Sequence, residues 1–134
     1  HAPHTVDEKR RKYPECPSGM TGVQTLVPVM LDFVNQQKLS INDFVRLTSY
    51  NPARLFGVKN KGMIKQGFDA DFTIVDLNRT QMIENKFIIC KSSWTPYDGL
   101  SFKGWPIMTI VNGKIVMREN QIVGERQGRK ILFN

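Results

Sequence analysis

Cysteine and histidine are both scarce here, with two of each in 134 residues. Cys16 and Cys90 form no Cys-x-x-Cys pair and no zinc-finger spacing. That excludes a disulfide scaffold and a structural zinc module, and fits a reducing compartment. Each reads as a small apolar residue, buried or half-buried. Long hydrophobic runs are lacking too. No stretch approaches a membrane span and no signal-peptide pattern occurs, so no membrane is expected as a partner. Internal repeats and low-complexity segments are missing. Acidic residues are outnumbered, 12 against 19 basic, for a net charge of +7. A basic balance raises nucleic acid as a partner. The charge is dispersed over Lys9–Lys12, Lys59–Lys65 and Arg126–Lys130. It lacks the interleaved aromatics of a single-strand-binding surface, so no nucleic acid is expected. A solvated surface, or steering of anionic substrates, accounts for the charge. What remains is a chain with 40% hydrophobic and 23% charged residues, near globular averages and sufficient for one modest core.

Periodicity divides the chain in two. Residues 6 to 16 are polar and end in Tyr13-Pro14-Glu15-Cys16-Pro17, a loop that Ser18-Gly19 and Gly22 continue. Gly19 carries no side chain to hold a ligand away from its backbone. Val23, Val27, Met30, Leu31 and Val34 share a helical face over about 24–37. Pro28 belongs in a first turn, so regular helix is expected from Leu26. Ser40 reads as an N-cap with Asp43 at the capping-box position, ahead of a second helix with Ile41, Phe44, Val45 and Leu47 on its apolar face. Asn51-Pro52 reads as the start of a third, which Gly57 stops.

After Gly57 the period changes to that of strands. Phe72 to Val75 are β-formers. Asp69, Asp71 and Asp76 fail the calcium-loop pattern and are expected to close turns by accepting backbone N–H groups. The stretches Trp94–Gly99 and Gly104–Pro106 are expected to form a rigid surface loop packed on its own rings, with an aromatic binding platform as the alternative. Asn112-Gly113 between Ile107–Val111 and Lys114–Met117 predicts a type I′ hairpin. Glu119-Asn120 makes a second turn into Gln121–Val123. Ile131–Phe133 ties down a basic tail.

The most distinctive stretch is His1-Ala2-Pro3-His4-Thr5, followed by Glu8-Lys9. Pro3 fixes φ and disfavours helix at the residue before it, so the two imidazoles sit on an extended segment or tight loop. A tag remnant or loose terminus would also supply two histidines, but Thr5–Lys9 and Pro17–Gly22 are not tag-like. This stretch resembles the last-strand signature of dihydroorotases, cyclic amidohydrolases in which it reads Asp-His-Ala-Pro-His and the Asp is a metal ligand and general acid/base. The string Thr48–Gly57 and the glycine-punctuated run Lys61–Asp76 are similar to stretches found across amidohydrolases. Gln24 stands where many relatives carry Glu, a departure expected to affect packing near the loop.

The resemblance implies an α/β protein: the C-terminal part of an amidohydrolase (β/α)8 barrel plus part of the attached small β-sandwich. Residues 1–57 would be the last strand-end loop and outer helices, and 58–134 the mainly β portion. It implies that the chain is the C-terminal part of a longer enzyme interconverting L-dihydroorotate and N-carbamoyl-L-aspartate in pyrimidine biosynthesis. Zinc is the implied cofactor, since it lowers the pKa of bound water and polarises a carbonyl. Its ligands would lie upstream of His1, with no metal ligand and no catalytic residue in this chain. By the same resemblance His4 contacts the substrate carboxylate, Ser18 and Gly19 hold the substrate through loop backbone, and His1 supports the metal site from behind its ligands. The implied partners are a small-molecule substrate and the upstream remainder of the enzyme, with a homo-oligomer allowed for, in the cytoplasm. The alternatives are a non-catalytic dihydroorotase-like assembly partner, a related hydantoinase or allantoinase, and an independent basic binding module.

Overall fold

The computed structural model describes residues 4–133. Its helices come first and its sheet second. The first element, α1 (Val6–Lys9), is one turn inside a segment whose polarity reads as loop. A reciprocal capping box makes it. Thr5 donates its backbone N–H to Glu8 Oε2 at 2.6 Å, and Glu8 returns its N–H to Thr5 Oγ1 at 3.3 Å.

The helix α2 (Leu26–Asn35) begins at Leu26 with Pro28 inside its first turn, where a missing N–H costs nothing. It ends in paired bonds from Gln37 N to Val34 O and from Lys38 N to Phe33 O, the Schellman pattern. Leu31 and Pro28 are its buried residues. Val23 lies in the turn ahead of it and is 83% exposed. The apolar periodicity therefore overreaches the helix at its start.

Ser40 caps α3 (Ile41–Val45), accepting the Asp43 N–H at 3.0 Å, and Phe44 is its buried residue. The expected restart at Asn51 does not occur. A π-helical segment, Arg46–Tyr50, carries the chain straight into α4 (Asn51–Leu55), and Asn51 is helical at φ −65°, ψ −45° rather than a cap. Pro52 explains the wide turn, because it has no N–H for the carbonyl of Thr48 and its ring would strike that carbonyl in a regular helix. The run closes with Gly57 N to Arg54 O and Val58 N to Ala53 O, a second Schellman ending.

Four antiparallel strands follow in the order β1-β2-β3-β4: β1 (Phe72–Met82), β2 (Ser101–Val111), β3 (Lys114–Arg118) and β4 (Gln121–Ile122). β1 runs well past the expected Val75. A bulge between Asp76 and Thr80 lets it continue, and Asp76 Oδ1 caps that bulge by accepting from the backbone of Asn78 and Arg79. Asn112 and Gly113 sit at φ 50° and 78°, as a type I′ turn requires. Glu119 and Asn120 repeat the geometry without glycine. Val58 bridges Phe133 and Lys59 donates to Leu132 O at 2.9 Å, so the tail is tied back as expected.

The core sits between α2 and β2. Trp105, expected in a surface loop, lies on β2 with no exposed surface, as do Leu31 on α2 and Ile83. Its indole N–H donates to Asn120 Oδ1 at 2.7 Å, and its ring lies 5.6 Å from that of Phe87. Pro106, with no N–H for the ladder, falls at the register shift between Ile74 and Val75. The helix is also bolted to the strand by polar groups. Asp32 Oδ1 accepts the Lys103 N–H at 2.9 Å, and Asn35 Nδ2 reaches the carbonyls of Leu77 and Lys103.

The strand entry is pinned electrostatically. Lys61 pairs with Asp69 at 3.0 Å and with Asp71, whose other oxygen accepts the Asn112 N–H at 2.8 Å. Burial works against the Asp71 charge, but the Asn112 N–H and the Lys61 ammonium outweigh it and hold the pKa below the usual 3.8. Lys61 is raised from 10.5, chiefly by its hydrogen bond to Asp71. A lowered carboxylate pKa stabilises the fold above the unfolded value and ceases to do so as pH falls through the folded one. Asp71→Asn is therefore expected to cost about 1 kcal/mol at pH 7, reduced by partial exposure, and less at pH 3, below the unfolded value of 3.8. Denaturation midpoints of both proteins at the two pH values check this; an equal loss at both would remove the charge from the account.

Candidate functional site

Two segments named from sequence, His4 and Ser18-Gly19, stand at the ends of a loop that folds back on α1. The loop is held by main-chain acceptors. Lys9 Nζ donates to the carbonyls of Pro17 and of Gly19, the latter at 2.9 Å. Cys16 Sγ donates to Lys9 O at 3.2 Å. Trp94 joins the two ends. Its indole N–H donates to His4 O at 2.7 Å, and its own carbonyl accepts the hydroxyl of Thr21, which is buried. The His4 turn and the strip just after Gly19 are thus fastened to one residue of the 94–99 loop.

The His4 imidazole is about one-third exposed, with Nδ1 3.8 Å from Glu8 Oε2. Glu8 is held below the ordinary carboxylate pKa by the Thr5 backbone N–H first and the Thr5 hydroxyl second. A carboxylate that stays ionised at neutral pH therefore lies beside Nδ1. Ser18 and Gly19 are exposed, and Gly19, at φ +85°, has nothing within 4 Å of where a Cβ would stand. Among the described residues neither donates its backbone N–H to another group. The arrangement offers an imidazole and free backbone donors on open surface, suited to a small anion. His1 lies outside the described residues.

Gln24 braces this region from the other side. Its amide donates to Phe87 O at 2.7 Å and accepts the Ile89 N–H at 3.0 Å. Its role is thus two directional bonds to segment 87–89 rather than packing alone. A carboxylate could keep only the accepting bond. Gln24→Glu is expected to lower stability by about 1–3 kcal/mol through the lost donor, measured as a shift in denaturation midpoint. No shift would show that water replaces the amide.

Next to Gln24 a cavity of about 210 Å³ is lined by Thr21–Thr25, Ile88 and Cys90. Neither His4, Ser18 nor Gly19 lines it, so it is separate from the surface they form. Cys90 is held below the ordinary thiol pKa by Ser92, whose backbone N–H lies 3.4 Å from the sulfur.

Sequence reasoning gave Thr21 and Lys9 no role and placed Trp94 in a surface loop without its bond to His4. A lysine that binds carbonyls and an indole that binds a carbonyl 90 residues away leave no spacing signal. Among the described residues no group of three or more His, Cys, Asp or Glu could hold a metal ion. These residues do not fit a zinc site. Among them, too, no helix is long and apolar enough to cross a membrane.

Known proteins of similar sequence and fold are numerous. Dihydroorotase of Pyrococcus furiosus is 42% identical over 132 residues, covering 98% of this chain and 31% of the relative. Dihydroorotase of Bacillus pumilus is 35% identical over 124 residues, covering 92% and 29%. Among solved structures, a D-hydantoinase from Thermus sp. superposes with a TM-score of 0.83 at 27% identity, over 91% of this chain and 28% of its own. The L-hydantoinase of Arthrobacter aurescens gives 0.79 at 31% identity, over 83% and 25%. The chain thus spans about a third of the length of the curated relatives it matches. Proteins of this kind are generally metal-dependent. Residues 15–116 match the amidohydrolase family along most of the folded core just described, from the loop before α2 into β3, and the chain belongs to that family.

Proposed function

We propose that this chain is the C-terminal portion of a zinc-dependent dihydroorotase, which reversibly hydrolyses the cyclic amide of L-dihydroorotate to N-carbamoyl-L-aspartate. The carrying observation is the pairing of His4 with the Ser18-Gly19 loop through Trp94 and Thr21. That surface presents donors to an anion, and the substrate's carboxylate is the group that sets it apart from an uncharged cyclic amide. The 42% identity to a dihydroorotase across nearly the whole chain supports the same reading.

In this reading residues 1–57 complete the barrel and 58–134 contribute to the small sandwich. Leu55 and Phe56, 79% and 67% exposed here, pack against the rest of the enzyme. His4 donates to the substrate carboxylate, Ser18 and Gly19 supply backbone groups to the same ligand, and His1 supports the metal site. Zinc is held by residues outside this chain, and the enzyme works in the cytoplasm. The test is turnover by the full-length protein of L-dihydroorotate and of a 5-substituted hydantoin lacking the carboxylate. Clear preference for L-dihydroorotate is expected. Preference for the hydantoin would assign the protein to hydantoinase chemistry, and loss of both activities with the fold intact would leave a non-catalytic assembly partner.

A further inference from the structure

We infer that Lys9 is a positioning residue, whose ammonium sets the shape of the 17–19 loop and so aims the Ser18 and Gly19 backbone at the substrate. The inference rests on the proposed role of that loop. Lys9 Nζ reaches the carbonyls on either side of Ser18, those of Pro17 and Gly19. A trans peptide holds its N–H opposite its C=O, so two carbonyls drawn to one cation leave the N–H groups of Ser18 and Met20 facing the other way. Those are the N–H groups without a partner among the described residues. Cys16 Sγ donating to Lys9 O at 3.2 Å closes the same loop from its base, so the lysine backbone is fixed as well as its head. Lys9 is only half exposed, unlike Arg10, Arg11 and Lys12 beside it. With its charge turned onto carbonyl oxygens, it acts through the loop rather than on the ligand.

The experiment uses the full-length enzyme with Lys9→Met, which keeps the apolar stem, and Lys9→Arg, which keeps a cation with N–H donors. Amide hydrogen exchange at Cys16, whose N–H is held by Lys12 O at 3.1 Å at the base of the loop, is expected to quicken on the order of tenfold in Lys9→Met, as the loss of charge-assisted bonds to the loop implies. The KM for L-dihydroorotate is expected to rise about tenfold with kcat nearly unchanged, the pattern of a lost ground-state contact. Lys9→Arg should restore most of both. Unchanged exchange would overturn the inference, and with a raised KM it would place Lys9 on the substrate itself. A fall in kcat at constant KM, or an Arg variant as impaired as Met, would also overturn it. If the wild-type enzyme does not turn over L-dihydroorotate, the substrate reading fails by itself, and the exchange measurement alone decides whether Lys9 holds the loop.

Discussion

His4→Ala in the full-length protein is expected to lower kcat/KM for L-dihydroorotate by roughly ten- to a hundred-and-fifty-fold while leaving bound zinc unchanged. A hydrogen bond from imidazole to a carboxylate is worth about 1.5–3 kcal/mol, and each 1.4 kcal/mol is about a factor of ten. The imidazole suits this task because it donates to an anion in either protonation state. Its backbone is fixed independently of its side chain, through the bond from Trp94 to His4 O. Removing the ring should therefore leave the loop in place and change the kinetics alone. Metal analysis beside the kinetics separates the outcomes. Lost zinc would make His4 a ligand, and unchanged kinetics with full zinc would remove it from the site.

The second large effect is structural. Gly104→Ala should cost about 2–6 kcal/mol, the sum of a strained backbone and an overpacked contact. Gly104 is at φ +102°, and a Cβ there would lie 2.6 Å from Leu31 Cβ and 3.2 Å from Asn35 Nδ2. Both neighbours belong to α2, and neither can retreat. Leu31 is fully buried, and Asn35 is held by the carbonyls of Leu77 and Lys103. The control is Gly67→Ala, at φ +86° with nothing within 4 Å, which bears only the backbone cost. The difference in denaturation midpoint between the two variants isolates the clash. Equal midpoints would mean that α2 shifts freely on the sheet, contrary to the bonding described.

The two effects differ in how far the sequence announces them. The helical face of α2, the Ser40 cap and the Asn112-Gly113 hairpin were legible because each depends on neighbours within a few residues. The burial of Trp105 was not, because Gly104 and Pro106 on either side carry the local signature of a loop. The contacts of Gly104 with Leu31 and of Trp105 with Asn120, across 73 and 15 residues, make that segment a core strand. The same holds for the continuous 41–55 run. Asn51-Pro52 has every local feature of a helix start, yet the preceding residues widen into a π turn and absorb the proline. At the candidate site the residues proposed to meet a ligand come from a motif. Of those that hold it in place, Thr21, Gln24 and Trp94 act on backbone atoms 63 to 90 residues away, and such bonds leave no pattern to read.

The central claim is that His4 and the Ser18-Gly19 loop grip one carboxylate. It is tested most directly by a crystal structure of the full-length enzyme with N-carbamoyl-L-aspartate bound. The account predicts an imidazole nitrogen of His4 and a backbone N–H from residues 18–19 on the same substrate carboxylate, each at about 2.7–3.2 Å. A ligand bound with that carboxylate turned away from both would contradict it.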